Sequence, residues 1–393
     1  MAKLETLTEN MQSLDHVVEA SVAARIDGAP TGRATISDVA ARAGVSIATV
    51  SRVTNGADTV HPKTAHRVRV AMKHLSYEPH SAGRSLASRK SGSIGALLLT
   101  PAGASTEDVF FLELLRGLES AVERAGLSLI VSVRSRDDGA DAGALRLLTG
   151  GRTDGLVIAG GPLPAAVRAE LARTTQPVVL FGPQEGLSQA ATQDARKAQS
   201  ARNPRAAGPG SALWSVVADS RRGTEDAVTH LIEIGRRRIA HIGGPLENTT
   251  AAWKREGFLT AHARAGAFHD SLLHVVAPAL HSRDGGFRAA ETLMDSGVAF
   301  DAIYANDDLL ALGAIGALHR RGMQVPQDVA VAGYGDIAEA RFATPALTSV
   351  HVDFAQQGWL AGTVLVQAID GTAPPAVQVK LDTTLVVRAS SAG

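Results

Sequence analysis

Thirteen histidines, no cysteine and an even balance of acids and bases set the chemistry this chain can do. Without cysteine there is no thiolate nucleophile, no thiolate metal ligand and no disulfide. No two histidines stand as His-x-x-x-His or His-Glu-x-x-His, so no zinc site is expected. Gly243-Gly244-Pro245 follows an apolar run, but no G-x-G-x-x-G or Walker sequence accompanies it to hold a dinucleotide or triphosphate. The stretch GDIAEARFATP offers carboxylates with no nucleophile beside them, and Asp219 and Asp353 stand where a helix or hinge strand would start. No catalytic residues, cofactor or metal are therefore expected, and the chain does not read as an enzyme.

The residues that can do something specific lie in ATISDVAARAGVSIATVSRVTNG, residues 34–56. Two short apolar periods flank Gly44, the pattern of a helix-turn-helix whose second helix enters a DNA major groove with its amino end first. On that second helix Ser46, Ile47, Ala48, Ser51, Arg52 and Asn55 form the expected exposed face. Arg52 has the fork to contact a guanine bidentately, whereas Ile47 and Ala48 can only pack against a thymine methyl. Ser46, Thr49, Ser51, Asn55 and Thr64 suit phosphate contacts, which position a protein without reading sequence. A helical hairpin with a central glycine also occurs in ordinary cores, and the motif alone leaves both readings open.

Charge bears on the choice. Between Arg33 and Lys90 there are ten Lys/Arg against three Asp/Glu, whereas the rest of the chain has 29 against 36. A basic segment on a mildly acidic body points to a polyanionic partner for that segment, unless it is only a solvated basic face. The 393 residues are enough for two or three domains. No apolar run approaches the roughly 18 residues of a membrane span, and MAKLETLTENMQSLDHVVEA has no signal-peptide core, so a cytoplasmic location is expected.

These residues need elements to hold them. Residues 1–33 read as a flexible leader. Ser37 is placed to cap SDVAARA and Ser46 to cap IATVSRVT, and Pro62 opens PKTAHRVRVAMKHL. Val39, Ala40, Val45, Val50, Val53, Val68, Ala71 and Leu75 can share one small core, giving an all-α head over 34–79 with a linker over 80–92. From Ser93 onward buried strands (SIGALLLT, LSLIVSV, DGLVIAG, PVVLFG, then WSVVAD, RRIAHIGG, LLHVVAP, DAIYAND, VAVAGYG) alternate with amphipathic helices. That alternation predicts an α/β body of two doubly wound parallel-sheet subdomains with a cleft at the carboxyl ends of their strands. Two segments of the first half, FLELLRGLESAVERAGLSLIV and RTDGLVIAG, have weak echoes in WKREGFLTAHARAG and AFDAIYAND. The expected bounds are 93–212 plus 353–380 for the N-subdomain and 213–352 plus 381–393 for the C-subdomain. Residues 187–212, poor in bulky apolar side chains, read as a mobile loop.

TISDVAARAGVSIATVSRVTNG, the following V-x-P-x-T-x-x-R-V-x-x-A-M-x-x-L-x-Y-x-P, and ANDDLLALGAIGALHRRGMQVPQDVAVAGYGD resemble the LacI/GalR-type transcription regulators, and the likeness runs from about residue 34 to 391. The resemblance implies a homodimeric repressor or activator with a periplasmic-binding-protein-like effector body. Two heads would bind a pseudo-palindromic double-stranded operator, and a small molecule would sit in each cleft. It adds Thr35, Tyr77, Ser81 and Leu86 to the DNA-contacting set, with Leu86 as the hinge leucine that wedges into the minor groove. Gly83 stands where the family has alanine, which costs a hinge helix about 0.5–1 kcal/mol and makes it lean on DNA and on its partner hinge. Without a leucine-heptad tail, a dimer is the default.

For the cleft the resemblance indicates Asp108, Phe110, Phe111, Trp253, Lys254, Asn306, Asp336 and Phe354. Lys254 replaces a usual arginine, a point charge for a planar fork. Asn306 also reads as a helix N-cap. Gly182 and Gly335 stand where sugar-binding relatives often carry aspartate. Two acids lost and a cation kept predict a sugar acid, a phosphorylated sugar or another anion as effector, rather than a neutral sugar. The alternative from another class is a two-lobed solute-binding protein of a transport system, which would leave residues 34–90 without a purpose. A third reading, a nonspecific DNA-coating protein, predicts no sequence preference. Whether the effector releases or promotes DNA binding is left open by the sequence.

Overall fold

The computed structural model describes residues 34–54, 59–77, 90–100, 109–135, 140–160, 163–171, 173–182, 213–244, 246, 248–266, 274–276, 282–374 and 378–392. The chain divides into two compact units, Met1–Arg84 and Ser85–Gly393.

In the first unit three helices, α1 (Ile36–Ala43), α2 (Ile47–Thr54) and α3 (Pro62–His74), enclose a core of Val39, Ala40, Ala43, Val50, Val68, Ala71 and Tyr77. The cap of α1 is Thr35 rather than Ser37. Thr35 Oγ1 accepts from the Asp38 backbone N–H, and the Asp38 carboxylate accepts from the Thr35 N–H at 2.8 Å, a reciprocal capping box. Only a residue two places earlier than Ser37 has its partner acid at the third helical position. Gly44 ends α1 in the left-handed conformation, φ 62°, which turns the chain into α2 without a Cβ penalty. Ser46 caps α2 as expected, its Oγ accepting from Thr49 N at 3.2 Å, and Pro62 opens α3 with His61 as cap.

In the second unit β1 (Ser93–Thr100), β2 (Ser128–Ser135), β3 (Gly155–Gly160), β4 (Val178–Phe181), β5 (Leu213–Ala218) and β11 (Gln378–Leu381) form one parallel sheet in the order β11-β5-β4-β3-β1-β2. A second sheet runs β12-β10-β9-β8-β6-β7, from β6 (Ile239–Gly243), β7 (His274–Val276), β8 (Ala302–Ala305), β9 (Ala330–Gly335), β10 (Thr348–His351) and β12 (Thr384–Val386). It is parallel except where β12 meets β10. The first five strands of each half take the same spatial order, so the sequence echo is a duplicated topology.

Helices cover both faces of each sheet, which is why the strands read as unbroken apolar runs. The first sheet packs α4 (Val109–Arg124) and α12 (Phe354–Ile369) on one side, and α5 (Ala140–Thr149) and α6 (Ala165–Leu171) on the other. The second packs α7 (Ser220–Glu233) and α8 (Thr249–Arg264) against α9 (Arg283–Asp295) and α10 (Asp308–Arg320). The short α11 (Ala338–Phe342) follows β9.

One subdomain bound differs from expectation. Residues 213–218 are strand β5 of the first sheet, hydrogen-bonded to β4 and β11, so the chain passes to the second lobe at Asp219 and not at residue 213. The strand's apolar composition fits either sheet, and only its ladder partners decide. The chain crosses between lobes three times: β5 into α7, β10 into α12, and β11 into β12. Asp219 and Asp353 cap α7 and α12 at the first two crossings, as their positions suggested.

Candidate functional site

On the head, α2 presents Ser46, Ile47, Ala48 and Arg52 outward, with Ser51 and Thr49 half-buried. Ile47 is 50% exposed although the head core lies one turn away, so this isoleucine does not serve the core. Ser46 and Thr49 hydroxyls hydrogen-bond each other at 2.9 Å. Thr35 is exposed, but its hydroxyl donates to Asp38 Oδ2 at 2.7 Å as part of the cap. Thr64 is half-buried at the start of α3, whose Lys63, Arg67, Arg69 and Lys73 are exposed. Tyr77 differs from the rest: only 9% exposed, its ring belongs to the head core. Asn55, Ser81, Leu86 and Asp108 lie outside the described residues, as do the leader, Gly83 and the 187–212 loop.

In the body the predicted cleft residues fall into two groups. The first-lobe group is aromatic. Phe110 sits 4.8 Å from Phe111, 5.5 Å from Phe181 and 4.8 Å from Phe354, the last edge-on. Such tilted and edge-to-face rings are the favoured arrangements. Phe354 also packs on the second-lobe core that contains Tyr334, which makes it the aromatic common to both lobes. A Cβ on Gly182, at the end of β4, would lie 3.9 Å from Thr250 Oγ1 at the start of α8, so the lobes face each other there. Gly182 and Gly335 have φ of 96° and 122°. There is room for a Cβ at both, but an L side chain rarely adopts that backbone.

The second-lobe group is polar and buried. Lys254 on α8 is 5% exposed, and its Nζ donates to the Asn306 carbonyl at 2.6 Å and lies 3.6 Å from the Tyr334 ring centroid. Burial lowers its ammonium to about 8, against the pull of Asp307 and Asp308. The retained cation is thus already committed to a carbonyl and a ring face. Asn306 is not the N-cap of α10. Asp307 holds that place, accepting from Leu310 N at 2.9 Å, while the Asn306 side chain turns to His241, Oδ1 to Nε2 2.8 Å. The extended backbone at Asp307 makes it the cap residue, one place later than the sequence suggests.

Asp336 does not join the group as a free acid. Its carboxylate lies 2.6 Å from an Arg388 guanidinium nitrogen and 3.2 Å from His351 Nδ1. Trp253 is half-buried with the Arg221 guanidinium 5.3 Å from its ring. Sequence reasoning overlooked His241, Phe181, Tyr334 and Asp308. Asp308 is 1% exposed, accepts from Ser349 Oγ at 2.5 Å and from Ile337 N at 2.8 Å, and burial raises its carboxyl to about 7. The doubled acid in ANDDLL was the one available signal: a helix start needs a single cap.

Residues 35–80 match the family of bacterial regulatory proteins, lacI family, and residues 228–391 match a periplasmic binding protein-like domain. The ribose operon repressor of Escherichia coli (strain K12) is 33% identical over 357 residues, 90% of this chain and 98% of that protein. The chain belongs to the lacI family.

Solved structures agree. The Lac repressor dimer bound to operator and the anti-inducer ONPF gives a TM-score of 0.72 at 27% identity, covering 92% of this chain and all of that one. A transcriptional regulator CelR–cellobiose complex gives 0.65 at 29% identity, covering 91% of this chain and all of that one. Like other lacI-family members, the protein is a DNA-binding transcription regulator and not an enzyme, and the head that a transport protein would lack is part of the match. No helix among the described residues is long and apolar enough to cross a membrane.

Proposed function

We propose that the chain is a repressor that binds a pseudo-palindromic operator as a homodimer and is controlled by a sugar or sugar acid held in the body's cleft. The observation that carries the DNA half is the outward face of α2, with Ile47 half out of the core and Arg52 exposed. On this reading Arg52 reads a guanine, Ile47 and Ala48 meet thymine methyls, and Ser46, Thr49, Ser51 and Thr64 hold phosphates. Thr35 helps through its cap, which orders α1, and Tyr77 through the core that holds α2. Asn55, Ser81 and Leu86 complete the set.

The effector half rests on the cleft and on two relatives: an operon repressor named for ribose and a regulator crystallised with cellobiose. Phe110, Phe111 and Phe354 supply an apolar wall for a sugar face, and the family resemblance adds Asp108 to the set. Trp253, Lys254 and Asn306 supply the opposite wall. Asp336 acts indirectly, its pairing with Arg388 and His351 fixing the turn at Gly335. The glycines at 182 and 335 in place of acids favour a sugar acid over a neutral sugar.

Electrophoretic shifts on DNA pulled down from the genome test the first half. Specific retardation that weakens steeply with salt is expected, because phosphate contacts release counterions. Equal retardation of random duplexes would identify a nonspecific binder. Calorimetry with gluconate-like acids beside neutral sugars tests the second half, and selective binding of a neutral sugar would rule out the anionic effector.

A further inference from the structure

His241 occupies the middle of β6 and is 1% exposed. Its ring stacks on Phe258 at 4.9 Å and 18°, and lies 5.5 Å from Tyr304, so packing on two sides fixes its plane. In that plane Nε2 points to Asn306 Oδ1 at 2.8 Å. An amide oxygen only accepts, so this bond requires the imidazole to carry its proton on Nε2. The Asn306 backbone is fixed as well, its N–H donating to Ile242 O at 2.9 Å and its carbonyl accepting from Lys254.

With Oδ1 taken, the remaining polar atom of Asn306 is its NH2 group. Asn306 is 4% exposed, and its Nδ2 has no acceptor among the described residues. Nor is it among the fully enclosed polar atoms that lack a hydrogen bond. A buried amide with an open, unpaired NH2 at the carboxyl end of β8 is therefore turned toward the cleft. The ammonium of Lys254, bound to the same residue's carbonyl, is its neighbour and can also only donate.

We propose that His241 is a positioning residue that sets the polarity of this wall: by donating to Asn306 Oδ1 it turns the Asn306 NH2 to the cleft, so the effector must place an acceptor oxygen there. A carboxylate, phosphate or carbonyl oxygen, or a hydroxyl used as acceptor, satisfies the site, whereas an ammonium or amide N–H does not. The opposite tautomer with a reversed amide would present Oδ1 and select donors, so a single proton decides the chemical class. The inference deepens the effector reading and rests on it for its consequence, though not for its geometry.

Neutron diffraction from perdeuterated crystals of the full chain reads the geometry directly. A deuteron on His241 Nε2 and an Asn306 ND2 group facing the cleft are expected. A deuteron on Nδ1 alone, with Asn306 Oδ1 facing the cleft, overturns the proposal. Titration with D-gluconate then reads the consequence. H241F keeps the stack on Phe258 without the donor and should weaken gluconate binding about tenfold or more, and H241Q, whose Nε2 can still donate, should recover most of it. Unchanged gluconate affinity in H241F overturns the positioning role. If wild type ignores gluconate, the failure belongs to the sugar-acid reading, and the neutron map still decides the polarity.

Discussion

Among the described residues, Arg52 is the one side chain on the outward face of α2 with a fork for a base edge, so its removal has a defined expected result. Arg52→Ala should cost about 1–3 kcal/mol of operator binding and relax preference at one base step. Unchanged discrimination among operator variants would show that another residue reads that step. At the same scale two buried ionisable groups set a pH dependence. Lys254, at about 8 against an ordinary 10.5, binds its proton more weakly in the folded chain, so its contribution to stability rises as pH climbs from 8 toward 10.5. Asp308, at about 7 against 3.8, holds its proton more tightly when folded, so its contribution falls as pH rises from 3.8 to 7. The summed contribution of these two groups is lowest between pH 7 and 8. Melting curves of the full chain at pH 4.5 and 7 should show a drop for wild type that is smaller for Asp308→Asn, and equal drops would refute the assignment.

Elements meet in this protein through glycines that the strand and helix patterns did not single out. Where α4 crosses α12, a Cβ on Gly117 would collide with the Ala355 carbonyl and one on Gly358 with the Leu114 carbonyl. The same device recurs where Gly286 and Gly313 bring α9 and α10 together. Gly358→Ala should destabilise the body by about 1–3 kcal/mol through forced separation of the two helices, seen as a lower denaturation midpoint without change in the head's own contacts. The α1 cap gives a smaller expectation in the other unit. Thr35→Ala should cost about 1 kcal/mol of head stability, measured by amide exchange in α1, and a null effect would mean that Asp38 alone holds the turn.

Across the whole molecule, effector and operator are linked by one free energy. Whatever factor the effector imposes on operator affinity, the operator must impose on effector affinity. Titrating effector with and without saturating operator should give the same factor as titrating operator with and without effector, and unequal factors would mean a further linked state. The three chain crossings at Asp219, Asp353 and residues 382–383 are where a change of lobe geometry has to be absorbed, and Asp219 is tied there to Lys380 at 2.5 Å.

Much of this was legible in the residues. Gly44, Ser46 and Pro62 punctuate the head because their conformational demands are local, and the alternating runs from Ser93 name an α/β body because covered parallel strands are apolar throughout. The α12 segment, FAQQGWLAGTVLVQAI, had only its start marked, by Asp353, and its apolar run did not by itself announce a helix packed against the first sheet. What a residue's neighbours do depends on pairing across long sequence distances, and no local pattern encodes that. So the ladder, not the composition, put residues 213–218 in the first sheet. Backbone geometry moved the caps to Thr35 and Asp307. His241, 65 positions from Asn306, became its partner only because β6 and β8 lie side by side. Sequence determined which chemistries were available; tertiary contact decided which atoms were already spent and which were left facing the cleft.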